Sequence, residues 1–154
     1  MSPTLDLSQP ALRLSFSPTR LSIVQYSSSQ RTPKALIDLL TADESVPFLS
    51  ITRTPAETSI IVPSKVFDDL SDAASPSAPF ENPIEASGPW LALVVAGPMD
   101  LSLTGILHAL TGPLKEAGVP VFASSTWDTD YVLINADKKD VAKDGLEAAG
   151  WTFD

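Results

Sequence analysis

The chain has no cysteine. That excludes disulfides, thiol nucleophiles and zinc–cysteine centres together. Histidine is nearly as scarce, with His108 the only one. No Gly-x-Ser-x-Gly elbow, Gly-rich phosphate loop or Gly-x-Gly-x-x-Gly turn accompanies it, so no enzyme constellation is expected. Positive charge is also short. Ten Lys and Arg stand against nineteen Asp and Glu, leaving a net charge of −9 and a pI of about 4.4. A field of that sign repels phosphate backbones, which makes nucleic acid and anionic lipid poor partners. Long apolar runs are missing too. The most apolar window, 90–99, is about half the ~20 residues that a membrane helix needs. The opening residues show no basic segment followed by an apolar one, and the expected location is the cytoplasm.

What is present is material for a core. Hydrophobic residues make up 44% of 154 and charged residues 19%, enough for one ordinary domain or two small ones. Such a composition does not describe a disordered acidic tail. Fourteen prolines punctuate the chain. In the segment 71–88 (SDAASPSAPFENPIEASG), Pro, Ser and Ala displace any periodicity, and a linker is expected there. Before it lie 6 basic and 7 acidic residues, and after it 4 and 9, so neither part forms a basic arm.

The C-terminal part reads more clearly. Residues 91–96 (LALVVA) form a short apolar run suited to a buried strand, which Gly97-Pro98 ends. Leu103, Ile106, Leu107, Leu110 and Leu114 follow at helical spacing and predict one core-facing stripe. Asp100 and Ser102 stand where an N-cap is wanted, Gly118 where a helix ends, and Gly112-Pro113 predicts a kink. Strands are expected over 119–125 and 131–135, then a helix over 137–149 and a terminal strand at 151–153. Pro120 falls in what is then an edge strand, where proline is tolerated. The N-terminal part repeats this order more weakly: strand 20–26, helix 33–40, strands 48–52 and 58–62, and a short helix 64–70 that Ser64 can cap. Two tandem copies of one α+β unit, at 12–70 and 89–154, are the economical reading. A βαββαβ sheet has open edges, so pairing with a second copy or a protein partner, through sheet edges or helices, is expected.

These residues carry a resemblance. Gly97-Pro98-Met99-Asp100-Leu101-Ser102-Leu103-Thr104-Gly105, Pro113-Leu114 and Ala117-Gly118-Val119 resemble the C-terminal half of small tandem ACT-domain proteins of the aspartokinase regulatory type. Ser125-Thr126-Trp127-Asp128-Thr129-Asp130-Tyr131 matches the Ser-Thr-aromatic-x-Thr-Asp-Tyr signature of the same family. Residues 48–55 and 60–62 are similar to the first ACT unit of those proteins and of the CASTOR arginine sensors. The resemblance spans about 12–70 and 89–152. It implies two ferredoxin-like βαββαβ units, with antiparallel sheets and helices on one face, that bind an amino acid at an ACT–ACT interface and regulate allosterically as a homodimer.

Carried over residue by residue, the implied ligand-binding positions are Met99, Asp100, Leu101, Ser102, Leu103, Thr104 and Gly105 in the first loop. Val119, Pro120, Val121 and Phe122 follow on the second strand, then Thr126, Trp127, Asp128, Thr129 and Asp130 in the loop before the third. Two positions depart from the arginine sensors. Pro120 brings neither hydroxyl nor N–H, and the 102–103 region lacks an acidic residue, so a smaller or more apolar amino acid fits as well as arginine. No cofactor or metal is implied, since Asp128 and Asp130 lack the further oxygen ligands of a calcium or magnesium site.

Blander roles stand beside these. Asp100 can serve as a helix cap, Asp130 can bond its own turn, and Trp127 can be packing or a pocket wall. Two functions remain open: a non-enzymatic amino-acid-binding regulator, and a protein-interaction module whose ligand site has degenerated.

Overall fold

The computed structural model describes residues 5–42, 46–72, 82–100 and 102–154. Leu101 and residues 73–81 of the expected linker lie outside the described residues. The chain divides into two compact units, Thr19–Trp90 and Met1–Pro18 with Leu91–Asp154. Each is an antiparallel sheet carrying two helices, in agreement with the expected α+β, ferredoxin-like class.

In the unit Thr19–Trp90, strand β1 (Leu14–Ser27) contributes its later residues. Helix α1 (Lys34–Thr41) then starts behind Pro33, and strands β2 (Ser50–Arg53) and β3 (Glu57–Pro63) follow. Helix α2 (Ser64–Ser71) and the first residues of β4 (Glu85–Val95) complete the unit. The strand order is β2-β3-β1-β4. β1 pairs antiparallel with β3 so that Val24 faces Ile60 and Ser22 faces Val62. Because side chains alternate along a strand, Val24, Tyr26, Ile60 and Val62 share one face, and with Leu36 of α1 they form this unit's core. Ser64 does not cap α2 as expected. It is the first helical residue, behind Pro63, and its hydroxyl is 2.8 Å from that of Ser22.

The second unit is assembled from both ends of the chain. It runs from residues 91–95 of β4 through α3 (Ile106–Glu116), β5 (Val121–Ser125), β6 (Asp130–Asn135), a 3-10 turn at Ala136–Lys138 and α4 (Lys139–Ala148). The fourth strand is supplied by the start of β1, giving the order β5-β6-β4-β1. Phe153 bridges Leu14 in parallel, with the Leu14 amide donating to the Thr152 carbonyl at 2.8 Å. Leu12, Leu14, Leu93, Val95, Leu110, Leu114, Val132, Ile134, Leu146 and Trp151 pack as one core.

The units therefore differ from the sequence reading, which starts one at residue 12 and makes the other self-contained from 89. Residues 14–18 belong with the C-terminal unit. Residues 85–88, expected in the linker, are strand. That stretch is exposed, so backbone pairing rather than apolar burial makes it a strand, and period-based reading has nothing to detect.

Helix α3 closes as its sequence predicts. The Gly118 amide donates to the Lys115 carbonyl and the Val119 amide to that of Leu114, the paired bonds of a Schellman end. Pro113 lies inside the helix and has no N–H for the carbonyl of Ala109 four residues back. The indole Nε1 of Trp151 donates to that carbonyl instead, at 3.3 Å.

Candidate functional site

The helix begins later than its sequence suggests. Gly105, at φ +82°, is the N-cap, and neither Asp100 nor Ser102 caps α3. Asp100 instead accepts the Ser102 amide N–H on Oδ1 at 2.8 Å, and its own carbonyl accepts the Leu103 amide at 2.9 Å. These bonds close a tight turn within the β4–α3 loop, because a short carboxylate side chain reaches a backbone amide two residues on. The Ser102 backbone N–H, and after it the Ser102 hydroxyl, hold the Asp100 carboxyl below the usual carboxylate range.

The β5–β6 loop is pinned against this one. The Met99 amide donates to the Asp128 carbonyl at 2.8 Å, and buried Thr129 donates from Oγ1 to the Val95 carbonyl at 2.6 Å. Gly97 makes that approach possible. It has φ +66°, and a Cβ there would meet the Asp128 oxygen at 3.0 Å and Thr129 Cβ at 3.2 Å. Within the β5–β6 loop the Thr126 amide donates to the Thr129 carbonyl at 2.9 Å, and Ser125 Oγ donates to Asp130 Oδ1 at 2.6 Å.

Between the two loops lies a cavity of about 320 Å³. Of the residues singled out in the sequence, Met99, Asp100, Leu103, Gly105, Thr126, Trp127, Asp128, Thr129 and Asp130 line it. Ser102 and Thr104 are exposed on the same loop but do not line it. The second-strand group is not brought in either. Val119 is buried in the core, Pro120 precedes β5, and Val121 and Phe122 lie on β5 outside the lining. Within one unit, that strand runs away from the cavity, since only its last residue, Ser125, reaches the loop.

Three lining residues were not among the expected set: Ile106, Leu107 and Ser125. Ser125 stands inside the signature stretch, and its bond to Asp130 is the signal that places it here. Leu103 and Leu107 depart from the expected core stripe. Both are more than a third exposed, while Ile106, Leu110 and Leu114 are buried. With the helix starting at Ile106, the first leucines fall on the cavity side rather than under the sheet.

The lining has a definite character. Asp100, Asp128 and Asp130 contribute carboxylates, no lysine or arginine lines it, and Met99, Leu103 and Leu107 supply apolar wall. Trp127 stands at the rim, 79% exposed. His108 is exposed on α3 and does not line the cavity. Among the described residues no cluster of three or more His, Asp or Glu could hold a metal, and no helix is long and apolar enough to cross a membrane.

The profile of the ACT domain family matches residues 85–148, which hold both loops of the cavity. Over that segment the chain carries an ACT domain. It is 32% identical over 115 residues to the human "Putative protein CASTOR3P", covering 69% of this chain and 66% of that protein. It is also 32% identical over 92 residues to the bovine "Cytosolic arginine sensor for mTORC1 subunit 1", covering 56% of this chain. The matched stretches thus span less than two thirds of either relative, and only 26% of the bovine one. Among solved structures, the protein Atu0741 from Agrobacterium tumefaciens matches with a TM-score of 0.70 and 25% identity, over 94% of this chain and 93% of that one. The regulatory subunit of aspartate kinase from Thermus flavus matches with a TM-score of 0.61 and 13% identity, over 89% of this chain and 96% of that one. That second likeness is one of fold.

Proposed function

We propose that this ACT-domain protein is a non-enzymatic regulator that binds a free amino acid in the cavity between the β4–α3 and β5–β6 loops. The observation that carries the reading is the cavity itself, built by two loops that bond to each other and that lie within the ACT match. Its volume is at the lower end of the ~300–1,000 Å³ usual for small-ligand sites. The start of α3 has no side-chain cap, so its first amide groups are available to a ligand carboxylate. Asp100, Asp128 and Asp130 offer charge-assisted bonds to an ammonium group. Leu103 and Leu107 would meet the aliphatic part. The relative named as an arginine sensor agrees with an amino-acid ligand.

In this reading a second copy of the chain covers the open side of the cavity, so that the site lies at an ACT–ACT interface. Ligand then acts by favouring one packing of the copies over another, which changes what a protein partner meets. The exposed aromatic at the rim, Trp127, is the natural surface for such a cover.

The test is amide NMR of the full chain against each of the twenty amino acids. Saturable shifts in residues 99–105 and 126–130 for one or a few of them are the expected result. Silence of both loops throughout would remove the reading. A second reading, an interaction module without a ligand, is favoured by the edge strand β5, where Val121 and Phe122 are exposed. It is distinguished by silent loops together with a partner whose binding Phe122→Ser abolishes.

A further inference from the structure

The two units repeat one turn. Between β5 and β6 the Thr126 amide donates to the Thr129 carbonyl at 2.9 Å, and the Thr129 amide donates to Thr126 Oγ1 at 3.4 Å. Between β2 and β3 the Thr54 amide donates to the Glu57 carbonyl at 2.8 Å, and the Glu57 amide donates to Thr54 Oγ1 at 3.2 Å. Each turn is bonded to the loop that leads into its unit's first helix. For the β5–β6 turn the link is the Met99 amide on the Asp128 carbonyl. For the β2–β3 turn it is the Arg53 guanidinium on the Ser28 carbonyl at 2.9 Å.

These matched ends carry opposite charge. The cavity end presents Asp100, Asp128 and Asp130, with no lysine or arginine in its lining. The other end presents Arg53 on the turn and Arg31 on the β1–α1 loop, two of the chain's four arginines, and both are exposed. Among the described residues neither arginine forms an ion pair. A guanidinium has five N–H donors, so the bond to Ser28 leaves Arg53 with donors for an outside acceptor. Glu57, the carboxylate on this turn, accepts the side-chain amide of Gln25.

A planar guanidinium is suited by carboxylates in its plane and an aromatic ring against its face. The cavity end supplies both, since Trp127 stands 79% exposed at the rim beside the three aspartates. We infer that the acidic cavity of one copy receives the Arg31–Arg53 end of a second copy, with a guanidinium seated between the carboxylates and Trp127. Charge complementarity selects this occupant. Two copies that each carry a net −9 repel one another in most orientations, and this one sets the basic end of one against the acidic end of the other. The contact joins unlike faces, so association need not stop at two copies. It names the face that covers the cavity in the proposed function, and it rests on that cover rather than on the ligand. An amino acid in the cavity competes for the same carboxylates and releases the contact.

The experiment is sedimentation velocity of the full chain, without ligand, over a range of concentrations at low and high salt. The expected mass exceeds the monomer, grows with concentration and falls as salt screens the contact. Arg31→Glu with Arg53→Glu, and separately Asp128→Lys with Asp130→Lys, should each associate at least about tenfold more weakly. Mixed in equal amounts, the two variants should associate again, because each now meets an end of opposite charge. Circular dichroism checks the fold of both, and Asp128→Lys alone, at an exposed position, replaces the second pair if that pair does not fold. A monomer at every concentration would overturn the inference. So would a mass insensitive to salt, a mass unchanged in Arg31→Glu with Arg53→Glu, or a mixture no larger than its folded parts. Saturable amino-acid shifts in a chain that stays monomeric would keep the ligand and remove the contact. Association in a chain whose two cavity loops stay silent to all twenty amino acids would keep the contact and remove the ligand.

Discussion

At the scale of single residues, the site depends on groups whose roles are set by position more than by type. Gly97→Ala is expected to destabilise the protein by about 1–3 kcal/mol, since it combines a positive φ with a Cβ pressed against backbone. Urea unfolding measures this, and a change below about 0.5 kcal/mol would contradict the packing described. Thr129→Val keeps the volume but removes the bond to the Val95 carbonyl, and should cost about 1 kcal/mol. Asp100 carries a pH dependence of known sign. Its folded carboxyl is held below the usual range, chiefly by the Ser102 amide. The turn is therefore supported above the carboxyl's unfolded pKa, and the support is lost as pH falls through the lower, folded pKa. The Ser102 amide resonance followed through an acid titration should move with that protonation, and Asp100→Asn should abolish the movement. At this scale the sequence marked the two loops that line the cavity, because Asp100 and Asp130 stand in recognisable motifs. It did not show what Asp100 does. A carboxylate two residues from an amide and a carboxylate at a helix start look alike until the position of the first helical turn is known.

At the scale of elements, proline and tryptophan in the C-terminal unit are coupled. Pro113 leaves the Ala109 carbonyl without its helical donor, and Trp151 supplies one from beyond α4. Trp151→Phe should cost about 1 kcal/mol from the lost bond, in addition to any packing change. In a Pro113→Ala background the residue at 113 can donate its own N–H, so the cost of Trp151→Phe should shrink. A double-mutant cycle measures the difference, and strict additivity would show that the indole bond contributes nothing. The helices and the β5–β6 hairpin were legible, since apolar spacing, the glycine at 118 and the turn at 127–129 each mark them. The exposed start of β4 and the start of β1 were not. The former has no apolar alternation, and in the latter Leu14 and Phe16 alternate with serine before Pro18 interrupts the pattern.

At the scale of the whole molecule, the order of elements along the chain is offset from the units they form. The segment 89–154 reads as a self-contained domain, yet its compact unit takes a strand and the buried side chains of Leu12 and Leu14 from the other end of the chain. A fragment of residues 89–154 should therefore be largely unfolded by circular dichroism, whereas in the full chain Leu14→Ala should cost about 2–5 kcal/mol. A folded fragment of full stability would contradict this assembly. No local pattern reveals such an exchange, because each half of the sequence offers enough strands to look complete.

The most direct test of the central reading is thermal unfolding of the full chain and of Asp130→Ala, each with the twenty amino acids at millimolar concentration. A ligand at 100 times its dissociation constant stabilises by about 2.7 kcal/mol, enough to raise the midpoint by several degrees. The expected result is a selective rise in the wild type that is lost in Asp130→Ala. A rise that survives Asp130→Ala would remove this placement of the ligand, and no rise with any amino acid would contradict the regulator outright.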